Sequence, residues 1–98
     1  MFHHVVLMKF SAAADQAFHD RVEMYAQTLR RTTRNMDRYV YRPNLASRSD
    51  GLTHVIIATF ASSADHDAYQ VSPTHQEMKA YMSPFIERIV VADVDDAS

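Results

Sequence analysis

Two short segments of this 98-residue chain are apolar on both faces, and they restrict its fold more than any other feature. The first, residues 2–10, reads F-H-H-V-V-L-M-K-F, and the second, residues 52–60, reads L-T-H-V-I-I-A-T-F. Both are short and rich in β-branched and aromatic residues, which marks them as strands. Side chains alternate along a strand, so His4, Val6, Met8 and Phe10 share one face, with His3, Val5, Leu7 and Lys9 on the other. In the second segment Leu52, His54, Ile56, Ala58 and Phe60 oppose Thr53, Val55, Ile57 and Thr59. A strand that is apolar on both faces belongs inside a sheet that is covered twice.

The other elements follow in order. Phe18, Val22, Tyr25 and Leu29 recur at helical spacing, which predicts a helix capped by Asp15 or Ser11 and running to about Thr33. Asp37–Arg42 reads as a second strand, with Tyr39 and Tyr41 on one face, joined as a hairpin to 52–60 across a polar loop with a Ser49-Asp50-Gly51 turn. Ser62-Ser63-Ala64-Asp65 is a capping pattern that opens a short helix ending near Tyr69. A second helical piece spans Pro73 to about Met82, and residues 85–94 form a last strand before a frayed tail, 95–98. The order β-α-β-β-α-β predicts a single α+β domain over residues 1–98, a ferredoxin-like fold with a four-stranded antiparallel sheet and helices on one face. The other face would be left bare and apolar at Val5, Leu7, Val55 and Ile57. Packing two such faces together removes the patch, which predicts a homodimer, a dimeric α+β barrel.

Several function classes drop out. The formal net charge of −2 gives no bulk attraction to nucleic acid or an anionic membrane. The absence of cysteine excludes disulfides and thiolate metal sites. With one glycine, Gly51, no glycine-rich phosphate loop can be built. No apolar run approaches the ~20 residues of a membrane span. A soluble cytoplasmic protein is the expectation.

Reactive residues concentrate between Asp65 and Phe85. Ser72-Pro73 breaks the second helix: serine is a favoured N-cap and proline suits the first helical position. His75 therefore falls in a first turn, where free N–H groups and the helix dipole disfavour imidazolium. Tyr69 stands just across the break. A neutral histidine beside a phenol is an acid–base pair. Its plain alternative is an exposed helical histidine beside a core tyrosine. His3, His19 and His66 are assigned to the surface or rim, and Tyr39 and Tyr41 to the sheet.

The segments H-V-V-L-M-K-F at 4–10, T-H-V-I-I-A-T-F at 53–60 and A-Y-x-x-S-P-T-H at 68–75 together resemble the stress-responsive A/B barrel domain family over about residues 2–94. The resemblance implies a barrel formed between two subunits and a pocket in each subunit between sheet and helices. By the same resemblance to a polyketide cyclase of the family, His75 is the base of an aldol-type ring closure. Tyr69 orients it or binds substrate, and His4, His54 and Tyr25 line the pocket. Where that cyclase has an Ile-Pro segment and a glycine, this chain has Thr33-Arg34 and Arg42, and the two arginines would narrow or polarise the pocket mouth.

Two function readings stand side by side. In one, the protein is a cofactor-free acid–base catalyst acting on a small β-keto or phenolic substrate, with His75 and Tyr69 catalytic. In the other, it is a stress-related dimer that binds a small molecule without turning it over. Ligand type alone would allow His4, His54 and His75 to hold a metal, but no two of them have helix spacing such as H-x-x-x-H, and no metal is assigned. Cofactor-free oxygenation is a further chemistry found on the same barrel. No cofactor is required.

Overall fold

The computed structural model describes residues 1–97. Its elements are β1 (Phe2–Phe10), α1 (Gln16–Thr32), β2 (Met36–Pro43), β3 (His54–Phe60), α2 (Ser63–Gln70), α3 (Pro73–Met82), a 3-10 turn (Ser83–Phe85) and β4 (Ile86–Asp95). The four strands form one antiparallel sheet in the order β2-β3-β1-β4, which is the ferredoxin-like arrangement expected. Among the described residues no helix is long and apolar enough to cross a membrane.

The caps lie where the sequence places them. Asp15 accepts a hydrogen bond from the Phe18 amide, Ser62 from Asp65, and Ser72 from His75, with Pro73 opening α3. Gly51 sits at φ 77° in the β2–β3 connection, a conformation that disfavours a Cβ. Leu52 and Thr53, expected in the third strand, belong instead to that connection, and the Leu52 side chain is buried.

The core lies between the helices and the inner face of β1, β2 and β3. Phe18, Val22, Ala26 and Leu29 of α1 are buried there against Val6, Met8, Tyr39, Tyr41, Ile56, Ala58 and Phe60. Fully burying each such large side chain contributes about 1.5–3 kcal/mol. The helices stop short of β4. Ile89, Val91 and Asp93 lie beside Met8, Val6 and His4 on the inner face, yet all three are exposed. On the outer face, half-buried Val5 and Leu7 align with half-buried Ile57 and Val55 on one side and with exposed Ala92 and Val90 on the other, forming an apolar strip.

Asp95 and Asp96, expected in a frayed tail, are held in place. Asp95 closes β4, and Asp96 binds both the Met1 ammonium at 2.8 Å and His3 Nε2 at 2.7 Å. These two partners hold the Asp96 carboxyl down at about 2. Ser98 lies outside the described residues.

Candidate functional site

The uncovered inner face of β4 and the facing side of α3 enclose a cavity of about 470 Å³. Val6, Met8, Ile56, Met78, Ile89 and Val91 supply apolar wall, and His4, Tyr39, Tyr69, His75, Lys79 and Asp93 supply polar groups. Such a mixture, mostly apolar with a few convergent polar groups, is what a small-molecule site needs.

His75 and Tyr69 are brought together, with ring centroids 4.4 Å apart. The helix break explains their position. α2 ends at Gln70, and the His75 Nδ1–H donates to the Gln70 carbonyl at 3.0 Å. That bond commits the proton to Nδ1 and leaves Nε2 as the acceptor nitrogen. Burial lowers the His75 pKa; the Gln70 carbonyl opposes this, and Lys79, His4 and His66 reinforce it. The expected neutrality therefore arises chiefly from burial.

Tyr69 is buried and its hydroxyl lies 3.2 Å from that of Tyr39, which also reaches the Met78 sulfur at 3.6 Å. Burial pushes Tyr39 up to about 12 and Tyr69 further still, so both phenols keep their protons. Two hydroxyls sharing one bond leave one O–H to spare. It points either from Tyr39 to a weak thioether acceptor or from Tyr69 to a ligand. A carbonyl or carboxylate beside Tyr69 is the better acceptor. Tyr39, expected only as a sheet residue, is thus also part of the cavity wall.

His4 lines the same cavity, and its Nδ1–H donates to Asp93 Oδ1 at 2.5 Å. Asp93 is not among the residues that the sequence singles out. Its signal there is weak, an acidic residue two places after Val91 with the parity of Ile89, and only the pairing of β4 with β1 puts it opposite His4. His66, expected at the surface or rim, is buried, stacked on Phe2 at 4.7 Å and 4.5 Å from the His4 ring.

His54 and Tyr25 do not line this cavity. His54 shares a face with His4, but strand pairing sets it opposite Met8, while His4 lies opposite Ala58. Four residues along a strand is about 13 Å. His54 instead stacks on His19 at 4.5 Å and on Tyr41 at 5.5 Å, so His19 is also no isolated surface residue. A set of His4, His54 and His75 around one ion is excluded by that separation. Tyr25 lies on α1 near Tyr81, with its hydroxyl 3.4 Å from Glu77. Nor do the two arginines reach the cavity. Arg42 bonds to Glu23 and the Tyr41 carbonyl, and Arg34 borders a separate depression at the start of α3. Lys79, one turn beyond His75, is the cation at the cavity.

Residues 2–96 match the family model described as the stress responsive A/B barrel domain. The chain belongs to that family. Among solved structures, a hydroxynitrile lyase from Passiflora edulis is similar with TM-score 0.83 and 24% identity, over 99% of this chain and 95% of that one. An Arabidopsis thaliana protein gives 0.84 and 20%, over 100% and 97% of the two chains. A dimeric ferredoxin-like protein of unknown function from Jannaschia gives 0.85 and 20%, over 96% and 97%. At these identities the likeness is one of fold. No curated protein matches the sequence significantly.

Proposed function

We propose that this A/B barrel domain is a cofactor-free acid–base catalyst for a small, largely apolar carbonyl compound, with His75 as base and Tyr69 as hydrogen-bond donor. One observation carries the reading. The His75 Nδ1–H is fixed on the Gln70 carbonyl, so the bare Nε2 belongs to a neutral imidazole beside a phenol that stays protonated. His75 would remove a proton next to a carbonyl, and Tyr69 would bind the oxygen on which negative charge develops. His4, held by Asp93, offers a further polar contact, and Lys79 favours a substrate with a carboxylate or enolate. A β-keto acid or a phenol precursor fits these demands. An aldol closure needs a base for the C–H proton next to the carbonyl, and hydroxynitrile cleavage, the activity named for the Passiflora neighbour, needs one for a hydroxyl proton as cyanide leaves; a neutral histidine can serve as either base.

The dimer belongs to the same proposal. The strip of Val5, Leu7, Val55 and Ile57, extended by Val90 and Val94, would pack on a second copy, and several structural neighbours are described as dimeric.

Hydrogen–deuterium exchange tests the chemistry without the natural substrate. Small β-keto acids and 1,3-diketones are incubated in deuterated buffer, and exchange of the acidic C–H is followed by NMR. The wild type should accelerate exchange, and His75→Ala should lose about 10²–10⁴-fold of that acceleration while staying folded. Normal exchange by His75→Ala ends the proposal. If the wild type binds these compounds in a thermal-shift screen yet exchanges none of them, the protein is a non-catalytic binding dimer.

A further inference from the structure

We propose that His4, His66 and Asp93 form a site for a divalent transition-metal ion, zinc foremost, at the rim of the cavity. One ring nitrogen from each histidine and one carboxylate oxygen lie within 4.8 Å of one another, the one such group among the described residues. The three come from different elements: His4 from β1, His66 from α2 and Asp93 from β4. Only the fold brings them together. Two imidazoles and one carboxylate make a donor set suited to zinc, cobalt, nickel or copper, whereas calcium and magnesium want more oxygen.

The surroundings favour binding. Both histidines are buried, so their ring orientations are set by packing, His66 between Phe2 and Phe60 and His4 against Tyr69. Asp93 stands on the uncovered inner face of β4 with its side chain 39% exposed, so it can move. Zinc ligands about 2.0–2.1 Å from the ion lie about 3.3 Å apart in a tetrahedron, so the widest pair, up to 4.8 Å, must close, while His4 Nδ1 and Asp93 Oδ1, 2.5 Å apart, must part as the ion takes the place of the proton between them and that proton moves to His4 Nε2. Asp93, the exposed member, is the ligand free to readjust. The Gln70 amide N–H donates to His66 Nε2 at 2.8 Å, leaving the His66 proton on Nδ1. Coordination through Nδ1 shifts this proton to Nε2, and Gln70 can accept it by turning its amide over. His4 and Asp93 face the cavity, so the remaining coordination positions open toward the space that His75 borders. This inference does not depend on the acid–base proposal.

The test uses tag-free protein stripped with chelator, titrated with ZnCl2 in a calorimeter near neutral pH. One ion per chain is expected, with Co2+ at the same site giving visible d–d bands. His66→Gln and Asp93→Asn should each weaken binding by more than about tenfold, since even supporting partners of a metal ligand are worth about 10–100-fold. His75→Ala and His3→Gln should bind as the wild type does. Asp93 is exposed, so Asp93→Asn keeps the test decisive even if His66→Gln fails to fold. Absence of binding tighter than millimolar overturns the site, as does equal weakening by His3→Gln, which would mean scattered surface histidines.

Discussion

A double-mutant cycle at Tyr39 and Tyr69 measures whether two hydroxyls share one buried hydrogen bond. Tyr39 is 1% exposed and Tyr69 3%. Their oxygens are 3.2 Å apart, and apart from this bond the Tyr39 hydroxyl reaches only the Met78 sulfur. Tyr39→Phe or Tyr69→Phe alone strands the remaining hydroxyl in an apolar wall, which costs about 1–3 kcal/mol. The double variant strands neither, so it should be no less stable than the worse single, giving a coupling of about 1 kcal/mol or more. For a chain of this size, about 1 kcal/mol moves the Tm by about 4–8 °C. Urea unfolding followed by circular dichroism, at one fixed protein concentration, reads the four proteins. Strict additivity of the two singles would refute the shared bond. Catalysis should divide differently: Tyr69→Phe should slow C–H exchange more than Tyr39→Phe does, because only Tyr69 is assigned to the substrate.

Three further outcomes follow from the structure. Ser72→Ala removes the N-cap of α3, which accepts from the His75 amide at 3.3 Å, and should cost about 0.5–2 kcal/mol and loosen His75. Burial lowers the pKa of His75, His66 and His54, so the unfolded chain, with imidazoles near about 6.5, binds more protons than the folded one just below that pH. Their stabilisation is complete above about pH 6.5 and lost as pH falls, so the urea midpoint should drop between about pH 7.5 and about pH 5.5; a rise would contradict the assignment. Leu7→Arg, in the outer strip, should give a monomer by light scattering, and an unchanged dimer would place the interface elsewhere.

Much of the architecture is legible in the sequence because its signals are local. Ser72-Pro73 announces a helix break from adjacent residues, and the break alone puts Tyr69 and His75 at facing helix ends. Alternation tells which face each strand residue occupies, and His4, Val6 and Met8 are indeed inward. Alternation cannot tell where along the sheet a residue lies. His54 has the right face and stands at the wrong end, because β1–β3 pairing sets it opposite Met8. Asp93 and His66 are illegible for the complementary reason: their meeting with His4 depends on β4 lying next to β1 and on how α2 docks, both non-local facts. The resemblance to the cyclase points Arg34 and Arg42 at the pocket mouth, but Glu23 and the Tyr41 carbonyl hold Arg42 away from it.

The uncovered inner face of β4 also divides the labour of the cavity between two kinds of wall. Tyr39, Tyr69 and Met78 belong to the packed interior, and replacing them disturbs the fold. Ile89 and Val91 shape the same space from a border strand, yet they are about half exposed and hold little else in place. Exchanging them for larger, smaller or more polar side chains would change which molecules fit while the reactive pair and the fold beneath it stay intact. A scaffold built this way can drift from one ligand to another through substitutions that cost it almost no stability.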